Sequence, residues 1–197
     1  MGLKEIIKAE GLTSQETYPL LKDNPISKKQ RLTELLVDWL MICLYLISLF
    51  LIIIVINYFV YGEVFPSQDE QYSQFIATFT TTIPITLAFA WLDYKYAGSL
   101  GKHFAGLRLR FKEASFGRSL LRNVIKFLPW QFGHMSVIHF MFGEIDAFGI
   151  ICYILSVGLL ILYLVMGLYR SDKRHLADML AGTQVVQANT HDSSVTD

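Results

Sequence analysis

Arg31 and Asp38 are the residues in this chain best placed to do chemistry, because both stand at the entry to a long apolar run. They lie two helical turns apart, with only about 20° of angular drift. On a helix they therefore share a face, separated by roughly 10 Å along the axis. From Trp39 to Tyr61 no charged residue follows. A carboxylate at the edge of hydrocarbon is costly unless it is paired or hydrated. Two chemistries are open to it. In one, Asp38 alternately holds a proton and a cation, a low dielectric raising its pKa into a useful range. In the other, Arg31 grips a carboxylate through two parallel N–H bonds, which Lys cannot copy, and the charges act as a structural clamp.

Other chemistries find less support. His134 and His139 are poorly spaced for one helical face, and no cysteine or carboxylate completes a metal set, so neither a metal nor a cofactor is expected. No nucleotide loop, hydrolase elbow or zinc-protease motif is present, so no catalytic residue is assigned and no enzyme is expected. Cys43 and Cys152 both fall in apolar runs and read as small packed residues, not as a disulfide. The formal net charge is zero, which points away from nucleic acid.

The elements that must position these charges follow from hydropathy. An apolar fraction of 53% over 197 residues is high for a soluble protein and fits one membrane domain. Residues 3–10 read as a short amphipathic segment and 11–27 as a linker, with Ser27 capping a helix from about Lys28. No cleavable leader is expected. Spans are expected at about 39–61, 75–92, 127–142 and 148–169. The second holds a threonine-rich stretch and Pro84, which predicts a kink near Thr80. Alternation of Leu107, Leu109 and Phe111 with Arg108, Arg110 and Lys112 predicts a short strand along the membrane surface. Arg118, Arg122 and Lys126 repeat every four residues opposite Leu121, Val124, Ile125 and Leu128, an interfacial helix whose basic side would meet lipid phosphates. Asp93 and Lys95 read as interface anchors. A short helix around Leu176–Ala181 should stop at Gly182, and 187–197 reads as a disordered tail.

Every Lys and Arg lies in residues 4–31, 95–126 or 170–174, while 62–74 and 143–147 carry only acids. The positive-inside rule then places all three basic blocks in the cytoplasm. That requires an even number of crossings. The expected fold is an all-α integral membrane protein with four transmembrane helices, an interfacial amphipathic segment and a short cytoplasmic tail helix. It would sit in the cytoplasmic membrane with both termini inside.

Four pieces of the chain resemble the RDD family, small bacterial membrane proteins named for one Arg and two Asp. Arg31 and Asp38 match the first two signature positions. Gly101-Lys-His-Phe-Ala-Gly-Leu-Arg108, Leu120-Leu-Arg-Asn123 and Arg174-His-Leu-Ala-Asp-Met-Leu-Ala-Gly-Thr183 follow in the family's order, and Asp178 matches the second Asp. The family often places His directly before that Asp, where Ala177 stands here. The resemblance covers roughly residues 28–186, within a domain taken as 31–186 after an N-terminal segment 1–30. It implies a transport role, with cation/proton exchange proposed for some members.

Arg31, Asp38 and Asp178 all fall on the same side of the expected topology, which allows a three-way contact. That cluster is an ion or proton site in one reading and a clamp in the other. Four helices are few to enclose a gated path, so transport would call for a homo-oligomer. Asn57, Thr82 and the Pro84 kink offer polar groups to a path, although Thr and Pro are ordinary in membrane packing. The alternative function is a non-catalytic scaffold or accessory subunit that binds another membrane or cytoplasmic protein. The bilayer itself is a partner in either case.

Overall fold

A computed structural model describes residues 20–64, 67–143 and 145–188. The amphipathic segment expected at 3–10, most of the linker and residues 189–197 lie outside the described residues. Helix α1 is Lys28–Tyr61. Helix α2 is Glu70–Tyr96, with a π-helical turn at Thr78–Thr82. A short α3, Leu100–Phe104, leads into strand β1, Leu107–Phe111. Then come α4, Phe116–Phe142, α5, Ala147–Tyr169, α6, Leu176–Ala181, and strand β2, Thr183–Gln187. Among the described residues three helices, α1, α2 and α5, are long and apolar enough to cross a membrane. The 27-residue α4 is not among them. Gln131, His134, Ser136 and His139 interrupt its apolar half.

The described chain falls into two compact units. One, the polar unit, combines residues 20–38, Thr86–Lys126 and 161–188. The other, the apolar unit, combines Trp39–Ile85 and Phe127–Leu160.

The polar unit corrects the all-α expectation. Its two strands form an antiparallel sheet in which Leu107 faces Gln187 and Phe111 faces Thr183. The alternation in β1 does not mark a strand on the membrane surface, because all five of its residues are buried. Leu107, Leu109 and Phe111 pack with Val185 and Ile26 in one apolar cluster. Residues 20–27 are not a free linker either. Asn24 donates from its side chain to the Val185 carbonyl at 2.7 Å and from its backbone to Ser171 at 3.0 Å. Gln184 and Leu21 exchange two bonds of 2.7 and 2.9 Å. Gln187, placed in the tail by its polarity, closes β2. Between α6 and β2, Gly182 takes the left-handed conformation at φ 65°, which lets the chain leave the helix at the expected stop.

In the apolar unit, Pro84 has the effect that its missing N–H dictates, and the form it takes is the π-helical turn. A proline leaves the carbonyl four residues earlier without its helical donor. Here that carbonyl belongs to Thr80 and accepts the Tyr45 hydroxyl at 2.5 Å. The hydroxyls of Thr80 and Thr81 turn back to the carbonyls of Ile76 and Ala77 at 2.7 and 2.6 Å. The first span's apolar residues, Leu40, Leu44, Ile47 and Leu51 among them, are exposed, as a lipid-facing surface requires.

A buried ion-pair network as the candidate functional site

The polar unit is held by charges in its interior. The chain of contacts begins on α1. Arg31 at i and Glu34 at i+3 are neighbours on a helix face, and Arg31 Nη1 donates to Glu34 Oε2 at 2.9 Å. The other oxygen of Glu34 lies 3.4 Å from Lys102 Nζ on α3. Lys102 also donates to Asp93 Oδ1 on α2 at 3.1 Å. Asp93 Oδ2 accepts Arg122 Nη1 from α4 at 2.8 Å and Asn123 Nδ2 at 3.0 Å. Arg122 Nε then donates to Asp178 Oδ1 on α6 at 2.7 Å. Charges alternate along the whole path, and Arg122 uses two donors of its fork on two different carboxylates.

Asp38 is held beside this path. Ser99 Oγ donates to one of its oxygens at 2.7 Å and the Gly101 N–H to the other at 2.8 Å. Ser99 also caps α3 and accepts from Lys102 Nζ at 3.2 Å. Glycine at 101 is dictated by space: a Cβ there would lie 2.3 Å from the Glu34 carbonyl and 2.6 Å from Asp38 Oδ1. Lys126 Nζ lies 3.9 Å from Asp38 and over the Phe89 ring. Four carboxylates, Glu34, Asp38, Asp93 and Asp178, thus face four cations, Arg31, Lys102, Arg122 and Lys126.

The electrostatics of the groups outside the spans follow from these neighbours. Burial works against an ionised Asp178, but the Arg122 and Arg31 guanidiniums outweigh it and hold the carboxyl below the usual range. Burial likewise opposes the Lys102 ammonium, and the flanking Asp93 and Glu34 carboxylates raise its pKa nonetheless. His175 goes the other way: burial drives its pKa down to about 3 against the attraction of Asp178. The backbone agrees with a neutral ring, since His175 Nδ1 accepts the Asp178 N–H at 3.4 Å. The Asp178 side chain caps the same turn in return and accepts the Thr183 hydroxyl at 3.0 Å.

All three expected cluster residues are in this network, but not in a three-way contact. Arg31 bonds Glu34 and, through Nη2, the Lys173 carbonyl at 2.6 Å, and touches neither Asp38 nor Asp178. The reason is reach: Asp38 is two turns away, Glu34 only one. The basic stripe of α4 is also corrected. Arg122 is 1% exposed and cannot face lipid phosphates. Arg118 pairs with Glu113, and Lys126 turns to Asp38. The stripe faces the carboxylates of the unit, while Leu121 and Val124 on the opposite side are exposed. Asp93, expected as an interface anchor, is fully buried. Sequence reasoning missed Glu34 and Ser99, and gave Lys102 and Asn123 no role beyond their place in the family's pattern. The spacing of Arg31, Glu34 and Asp38 along one helix face was the available signal for Glu34. A lone acid closing an otherwise apolar span was the signal for Asp93.

The model of the RDD family matches residues 29–182, nearly the whole network included. The chain belongs to the RDD family. No curated protein and no solved structure matches it. The match covers every residue of this RDD protein's ion-pair path, from Arg31 to Asp178.

Proposed function

We propose that this RDD protein is a non-catalytic scaffold or accessory subunit of the cytoplasmic membrane, its polar unit locked in one conformation by the ion-pair network. The observation that carries this reading is the mutual satisfaction of four buried carboxylates by four cations. An exchange site needs a carboxylate that releases its proton near neutral pH. Asp178 is held the opposite way, ionised by Arg122. Confinement of Lys and Arg to three blocks supports four crossings with both termini in the cytoplasm. Another membrane protein is the partner this role calls for.

A second reading, cation/proton exchange by an oligomer, draws on a polar seam in the apolar unit. Gln131 bonds Thr78 and Gln74 bonds the Met135 carbonyl, each at 3.0 Å. The side-chain oxygens of both glutamines are buried without a partner among the described residues. Buried orphan acceptors are where water or a cation is accommodated.

Proteoliposomes separate the two. With Na⁺, K⁺ or Li⁺ gradients imposed on the wild-type protein, the scaffold reading expects proton movement equal to that of empty vesicles. Cation-driven proton flux above that of empty vesicles would replace it with exchange.

A further inference from the structure

We propose that Glu70, His139 and Asp146 form a pH-responsive pin, which ties α2 and the start of α5 to α4 while His139 is protonated and lets one tie go when it is not. The residues meet within the apolar unit, apart from the ion-pair network. His139 Nδ1 lies 2.7 Å from Glu70 Oε1 in the first turn of α2. His139 Nε2 lies 3.1 Å from Asp146 Oδ1, just before α5. An ionised carboxylate only accepts hydrogen bonds, so both ring nitrogens must carry hydrogen to satisfy both contacts. That is the imidazolium. Neutral imidazole has one N–H and turns a lone pair on the second carboxylate.

The geometry also says which tie is lost. The Glu70 contact is the shorter, and Asp146 keeps an alternative use, accepting the Gly149 N–H at 2.9 Å as the cap of α5. On loss of the proton to water, Nδ1–H stays on Glu70 and the Asp146 contact opens. The pin lies at the surface of the protein: the side chains of Glu70 and Asp146 are 35% and 51% exposed, that of His139 19%. Among the described residues, the neighbouring groups do not compete. Asp69 is occupied in capping α2 at the Tyr72 N–H, the Phe148 ring meets His139 edge-on at 5.3 Å, and 62–74 and 143–147 contain no Lys or Arg. Histidine is the side chain whose charge changes between about pH 5 and 8, so the pin responds in that window.

Hydrogen exchange of the full chain in lipid nanodiscs tests this. At pH 8, after correction for intrinsic exchange, residues 145–150 should lose about fivefold in protection relative to pH 5.5, the scale of a partly exposed charge-assisted bond. His139→Gln should show the pH 8 level at both values. Asp146→Asn, which keeps the helix cap, should also lose the pH dependence. Equal wild-type protection at both pH values would overturn the proposal, as would an unchanged fivefold response in either variant. Nitrogen NMR of the wild-type histidines gives a readout that needs no variant: a neutral His139 at pH 5.5 overturns it as well.

Discussion

Removing Arg122 is the sharpest perturbation of the network. Arg122→Ala deletes the 2.7 Å bond to Asp178 and the 2.8 Å bond to Asp93 together. The two carboxylates are left unequally placed. Asp93 keeps Lys102 at 3.1 Å and Asn123 at 3.0 Å, whereas Asp178 keeps the Thr183 hydroxyl at 3.0 Å and a neutral His175. Breaking a buried pair from one side costs about 3–5 kcal/mol, because a charge remains buried without its counter-ion. A value near 4 kcal/mol, about a thousandfold in the unfolding equilibrium, is expected here. Asp178→Ala should cost about 3 kcal/mol, since Arg122 retains Asp93. The double variant removes both charges and should fall short of the sum by about 2 kcal/mol. Arg31→Ala combined with Asp178→Ala should be additive within about 1 kcal/mol, because these two residues share no bond. Equilibrium unfolding in mixed micelles, read by tryptophan fluorescence, measures both cycles. Equal coupling in the two cycles, or an Arg122→Ala cost below about 1 kcal/mol, would refute the arrangement of partners described above.

Two further outcomes follow from the same unit. Gly101→Ala forces a methyl against the Glu34 carbonyl and the Asp38 carboxylate, so it should destabilise by about 1–3 kcal/mol, and Asp38→Ala in the same chain should relieve part of that cost in the unfolding assay. His175 is neutral in the fold, its pKa down to about 3, but titrates near 6.5 when unfolded. The unfolded state therefore binds more protons between these values, and stability falls as pH drops through that window. Between pH 7 and pH 5 the loss should be about 2 kcal/mol, and His175→Gln should flatten the profile by that amount.

The helical skeleton was legible because its signals are long. The uncharged run after Asp38 and the Pro84 effect need no tertiary information, and Gly182 stands where a left-handed residue must end α6. The sheet was half legible. The alternation in β1 is visible from residues 107–111 alone, but its partner is short, far along the chain and indistinct from a polar tail. Reading the basic stripe of α4 failed for a different physical reason. The period of four correctly put Arg118, Arg122 and Lys126 on one side, yet periodicity does not say which side faces outward. Here the usual assignment inverts, because the carboxylates Asp93 and Asp178 draw Arg122 inward: Leu121 and Val124 are exposed, and Arg122 is in the core.

That inversion also explains why the signature residues need not touch. Each ties a different distant segment into the polar unit. Arg31 holds the Lys173 carbonyl, in the turn before α6. Asp38 holds the start of α3 through Ser99 and Gly101. Asp178 holds the guanidinium of Arg122 on α4. A single ion-binding centre built from the three would make their loss equivalent, since any one missing ligand empties the site. Separate ties on a shared charge path make it graded. Arg31 shares its carboxylate, Glu34, with Lys102, so its loss leaves Glu34 with a cation nearby. Among the described residues Arg122 is the one cation bonded to Asp178, and removal of Asp178 frees a guanidinium still held by Asp93. Arg122 itself joins two carboxylates and has no substitute for Asp178. The residue outside the family's three-letter name should therefore be the most costly of the four to remove, with Arg31 less costly than Arg122.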